Sequence, residues 1–211
     1  MTNWARHERQ ELCELFSAVG PDAPTLCGAW TTRDLAAHLV VRERRPDAAV
    51  GIVAGLGPLR RHTESVQRSV AARPWEELIE LVRSGPPRWS PTSVGRVDEL
   101  ANTVEFFVHH EDVRRAGADW RPRPLDPAED DALAAAAGRL RLLLRRSPVG
   151  VRLQRPDGAV LAAHGGPRTV TVVGTPGELV LVAFGRQAHA DVRYQGAEAD
   201  ISAVQQASFG I

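Results

Sequence analysis

The sequence predicts an α+β protein in two parts, a helical bundle over residues 1 to 146 and a small α+β domain over residues 147 to 211. Up to Ser147 the apolar residues recur three and four apart, the helical period, between stops made of Gly and Pro. From Ser147 the pattern shortens into β-branched or alternating segments divided by the turn signals "PDG" and "GGP". A length of 211 residues with 43% apolar content is enough for one large domain or two small ones with a real core.

The elements follow in order. "NWARHERQELCELFSAV" spaces Trp4, Leu12, Leu15, Phe16 and Val19 along one helix face before Gly20-Pro21 stops it. In "WTTRDLAAHLVVRERRP" Thr31 or Thr32 caps a helix, Asp34 complements its first turn, and His38 shares the apolar face of Leu35 and Leu39. Pro46 bends or ends that helix, with "DAAVGIVAGL" able to continue after a kink. "LRRHTESVQRSVAA" and "PWEELIELVRSG" are two further helices meeting at Pro74, a residue suited to a first helical position. The loop "GPPRWSPTSVG" leads to the helix of "NTVEFFVHHEDVRRA", and "PAEDDALAAAAGRLRLLLRRS" closes the bundle with acids at its start and arginines at its end. In the second part "VGVRLQR", "AVLAAH" and "RTVTVVG" read as strands, "TPGELVLVAFGRQ" as a helix, "ADVRYQG" as a strand and "AEADISAVQQAS" as a closing helix.

Composition removes several classes of function. Twenty-six basic residues, all arginine, balance 26 acidic ones, so the electrostatic footprint of a nucleic-acid binder is missing. No run approaches the roughly 20 apolar residues of a membrane span. "MTNWARHERQEL" lacks the apolar segment of a signal peptide, so a cytoplasmic protein is expected. Cys13 and Cys27 form no CxxC pair and are expected to be ordinary thiols.

One stretch stands apart. "NTVEFFVHHEDVRRA" places Glu105, His109, His110, Glu111 and Asp112 inside an apolar helical run. Residues four apart share a helix face, so Glu105 and His109 project together. Val104, Phe107 and Val108 argue that the face is buried, where a lone carboxylate is costly and needs a cation or another partner. His38, on the apolar face of its own helix, supplies a third candidate ligand for a divalent metal. Two imidazoles and one carboxylate leave an open coordination position, the pattern of catalytic rather than structural zinc, and suit nickel, iron or manganese as well. The competing reading makes His38 a hydrogen-bonded core histidine and pairs Glu105 with Arg114 or Arg42. His110 lies about 100° around the helix from His109 and is expected off the site, and Asp112 is one turn past His109, where it could orient that ring.

The combination of "WTTRDLAAHL", "EFFVHHEDVRR" and "LVLVAFGRQAHADVRYQG" resembles the mycothiol-dependent maleylpyruvate isomerase family, members of the wider DinB-like metal-binding bundles, over nearly the whole chain. The resemblance implies a DinB-like four-helix bundle with a small C-terminal α+β domain. It carries His38 over from the pattern W-T-x-x-D-L-x-x-H-L, and Glu105 and His109 from E-x-x-x-H-x-x-D, as metal ligands. It also offers Arg186, in "AFGRQ", as a catalytic arginine facing the active site, where a planar guanidinium would hold a carboxylate. The doubled "HH", the stretch "RERRP" and the long "RRHTESVQRSVAARPWEEL" segment depart from the isomerase pattern and place the chain in a separate branch, whose all-arginine basic set suits a GC-rich actinobacterial genome.

Two classes of function follow. In the first, a divalent metal lowers the pKa of a small thiol, mycothiol by the resemblance, for isomerisation or S-transfer to an electrophilic, acidic substrate. In the second, the bundle is a non-catalytic metal-binding sensor or interaction module. Hydrolysis by metal-bound water, with Glu111 or Asp112 as base, ranks below both.

Overall fold

Asn3 sits in extended backbone and its side chain accepts a hydrogen bond from the Arg6 amide at 2.8 Å, which caps α1 (Trp4–Val19). The computed structural model describes residues 3–48, 57–87 and 96–210. Gly20 ends α1 with a φ of 82°, a left-handed conformation that glycine adopts without steric cost. The next helix, α2 (Thr32–Arg44), opens with a capping pair in which the Thr31 backbone N–H donates to Asp34 Oδ2 at 3.0 Å. It is followed by α3 (Gly57–Ala71), α4 (Trp75–Arg83) and α5 (Arg96–Arg114). Pro74 stands at the cap of α4, one position ahead of the first helical residue. After the break at Arg45, residues 46–48 resume helical backbone, and the rest of that continuation and most of the "GPPRWSPTSVG" loop lie outside the described residues.

Two compact units divide the chain, residues 1–120 and 121–211. In the first, α1 packs on α4 and α5, and α2 packs on α3 and α4. The amphipathic faces meet in a core that includes Leu12 and Phe16 of α1, Leu35 and Leu39 of α2, Leu78 of α4 and Phe106 of α5. Charges buried among them are paired, as burial requires. Arg9 of α1 reaches Glu43 of α2 at 2.6 Å and the Val82 carbonyl of α4 at 2.7 Å, with its guanidinium 4.1 Å from the centre of the Phe106 ring. Glu111 of α5 is fully buried and accepts from Arg114 and Arg115.

The second unit begins with α6 (Pro127–Ala136), which runs into a 3₁₀ segment, Ala137–Arg146. The sequence pattern joins these into one α-helix. The structure tightens its second half, and Gly138, a weak helix former, stands at the change. Because α6 packs on this segment and on the helix α7 (Pro176–Ala183), it belongs with the second unit. The boundary therefore falls at 120/121, earlier than the change of sequence pattern at Ser147. The sheet has the order β2-β1-β3-β4, from β1 (Gly150–Gln154), β2 (Val160–His164), β3 (Thr169–Val173) and β4 (Arg193–Gln195). β1 runs antiparallel to β2 and parallel to β3, and β3 runs antiparallel to β4. The chain closes with α8 (Glu198–Gln205). Among the described residues no helix is long and apolar enough to cross a membrane.

Candidate metal centre

His38 and Arg42 lie one turn apart on α2, and Glu105 and His109 lie one turn apart on α5, so two helices each present a pair of side chains. The pairs converge. Glu105 Oε1 stands 3.3 Å from His109 Nε2, 3.8 Å from His38 Nε2 and 3.3 Å from Arg42 Nε. One ligand atom from each of His38, Glu105 and His109 lies within 4.8 Å of the other two. Donors on a tetrahedral zinc with bonds of about 2.0–2.1 Å are themselves roughly 3.3 Å apart, so this spacing needs little rearrangement to accept a cation.

The surroundings set the protonation states. Burial pushes the His38 imidazole below its ordinary pKa and outweighs the hydrogen bond and charge of Glu105. A neutral ring with a free lone pair is the ligand form. For Glu105 burial alone would push the carboxyl up, but hydrogen bonds to His109 and His38 and the charge of Arg42 overcome it and hold the group ionised, well below the ordinary range. For His109 burial would depress the ring, yet hydrogen bonds to Asp112, Cys27 and Glu105 raise it well above 6.5. In the metal-free protein His109 is thus the proton-bearing member of the cluster.

Asp112, fully buried, explains how His109 is aimed. Its Oδ2 lies 3.0 Å from His109 Nδ1. An ionised carboxylate only accepts, so Nδ1 carries the hydrogen and Nε2 faces Glu105. This is the arrangement in which a carboxylate behind a histidine fixes the tautomer of a metal ligand. Cys27 joins from the loop between α1 and α2, its thiol donating to Asp112 Oδ2 at 3.1 Å and lying 3.8 Å from His109 Nδ1. That loop is fastened to α5 by the Leu26 amide, which donates to the Asp112 carbonyl at 3.0 Å, and Gly28 turns it with a φ of 68°. Two residues later Trp30 lays its ring against His38, centroids 5.1 Å apart.

Cys27, expected to be an ordinary thiol, is brought to the cluster by its loop's contacts with Asp112, far away in sequence, and Trp30 of the same loop reaches His38. His110 points elsewhere, with Nδ1 3.0 Å from Glu8 Oε2 of α1. Glu111, held by Arg114 and Arg115, also turns away from the three ligands. The alternative partner Arg42 does contact Glu105, beside the histidines and not instead of them. Arg186 lies in the second unit, half-buried at the start of a 3₁₀ turn (Gln187–His189), where its guanidinium donates to the Phe184 carbonyl.

Two solved structures share this architecture. One is a crystal structure of the mycothiol-dependent maleylpyruvate isomerase, 17% identical, with a TM-score of 0.60 over 91% of this chain and 90% of that one. The chain has the fold of that isomerase. The second is a histidine-to-alanine mutant of the isomerase, 16% identical, with a TM-score of 0.61 over the same shares of the two chains. No protein-family model matches the sequence, and no curated protein matches it either.

Proposed function

We propose that the protein is a metal- and thiol-dependent enzyme in which His38, Glu105 and His109 hold one divalent cation and a small thiol takes the open position. The observation that carries this reading is the approach of three ligand atoms, from two helices, to within 4.8 Å of one another. The donor set fits such an ion: two imidazole nitrogens, one kept neutral by burial and one aimed from behind by a carboxylate, and a carboxylate kept ionised. Zinc suits these donors, as do iron, nickel and manganese. A cation in that position would deprotonate a coordinated thiol outright.

The remaining work falls to the chain. Asp112 and Cys27 hold the His109 ring, and Trp30 covers one side of His38. The fold shared with the mycothiol-dependent isomerase favours mycothiol as the thiol, with an isomerisation or S-transfer on an electrophilic, acidic substrate. The test is a rate: metal-loaded protein should speed the reaction of mycothiol with a neutral electrophile at pH 7, and Glu105→Ala protein should not. Tight metal binding with no acceleration would favour the non-catalytic sensor or interaction module instead.

A further inference from the structure

Arg42 occupies a position that metal binding alone does not explain. It lies one turn beyond His38 on α2, and its Nε is 3.3 Å from Glu105 Oε1, the oxygen that also faces both histidines. Its Nη1 donates to Asn102 Oδ1 at 2.8 Å. These two contacts use Nε and Nη1, and leave Nη2 at the end of the planar fork of five N–H groups. Among the described residues no partner is found for Nη2, and the side chain keeps 22% of its surface exposed. The fork is therefore within reach of a ligand.

Charge supplies the second half of the argument. Glu105 is the charged partner of Arg42 in the metal-free cluster, but a dication held by His38, Glu105 and His109 would set a further positive charge beside the guanidinium. Asn102 is neutral and offers no compensation. A part-buried guanidinium in that position needs a second anion, and the geometry Arg presents best is the bidentate one of a carboxylate.

We propose that Arg42 is a specificity-determining residue, anchoring a carboxylate of the ligand that binds at the His38–Glu105–His109 cluster. The assignment rests on the metal–thiol reading above and adds the ligand class: a thiol or an electrophile with a carboxylate close to its reacting atom. It is independent of Arg186.

Cobalt-substituted protein tests it, because thiolate coordination gives a sulfur-to-cobalt charge-transfer band. The band is titrated with 3-mercaptopropionate and with its neutral analogue 3-mercaptopropanol, and the mercaptopropanol complex is then titrated with acetate. Wild type should prefer the carboxylated thiol about tenfold or more, the scale of one charge-assisted hydrogen-bonded pair, if the carboxylate is carried by the thiol. If a separate substrate carries it, acetate should perturb the mercaptopropanol band. Either effect should vanish in Arg42→Ala and persist in part in Arg42→Lys, with cobalt content unchanged. A preference that survives in Arg42→Ala would be chelation by the thiol itself and would overturn the assignment. So would a band indifferent to carboxylate in the wild type. No band with either thiol would sink the metal–thiol reading, and this inference with it.

Discussion

His109 donates through Nδ1 to a fully buried Asp112 carboxylate at 3.0 Å, and this contact decides which ring nitrogen faces Glu105. Loss of the carboxylate charge should weaken metal binding without unfolding the bundle. Asp112→Asn is expected to lower affinity ten- to a hundredfold, the usual cost of removing a group that supports a ligating histidine. Competition against a chelator of known strength measures it, and an unchanged affinity would separate Asp112 from the site.

Proton competition should be visible above the ordinary histidine range. His38 is already pushed toward its neutral form, so it releases no proton near neutrality. His109 is raised well above 6.5, so in the metal-free protein it must lose a proton before Nε2 can bind. Affinity should therefore climb about tenfold per pH unit, one proton, from pH 6.5 up to the raised pKa of His109. A calorimetric series in buffers of different ionisation enthalpy counts that proton. Affinity that is flat above pH 6.5 would count against the raised His109.

The same shifts give the metal-free protein a stability window. His109 has a raised folded-state pKa, so its contribution is fully present below the ordinary value of 6.5 and is lost as pH rises through the folded value. Glu105 has a depressed one, so its contribution is present above the ordinary value of 4.5 and is lost as pH falls through the folded value. Urea midpoints of the metal-free protein should fall on both sides of the interval between 4.5 and 6.5. A midpoint still rising above pH 8 would contradict this.

Arg9 carries a prediction about the bundle itself. Its pairing with Glu43 is buried, and removing Arg9 takes a close cationic partner from a buried carboxylate. Arg9→Ala should cost about 3–5 kcal/mol in urea unfolding. The double change Arg9→Met with Glu43→Leu should recover most of that loss. Equal stability of the single and double variants would show that the pair is not what matters there.

The two thiols should behave differently. Cys13 is fully buried and its thiol is pushed up to about 11 by that burial, whereas Cys27 is half-buried at the cluster. A chromogenic disulfide reagent should titrate one cysteine in the native protein and both in denaturant. Mass spectrometry should place the native label on Cys27.

The helices and strands were legible because their patterns are local: helical spacing around Leu35 and His38, and β-branched runs at Thr169–Val173. The approach of His38, Glu105 and His109 was legible for the same reason, since each helix puts its ligands on an inward face and a buried carboxylate needs a partner. Cys27 and Trp30 escaped because their loop is positioned by hydrogen bonds such as Leu26 to Asp112, between residues far apart in sequence. The tightened turn after Ala136 and the boundary at 120/121 escaped because packing within the second unit, not the run of acids and arginines, decides them.

The central claim is that three side chains hold one ion, and the metal-to-protein ratio tests it most directly. Protein purified without added metal, then dialysed against zinc, should carry one ion per chain by elemental analysis. His38→Ala, Glu105→Ala and His109→Ala should each lose it, by more than the hundredfold that a supporting residue costs, while keeping the helical circular dichroism of the wild type. One ion retained in any of the three folded variants, or none in the wild type, would contradict the account.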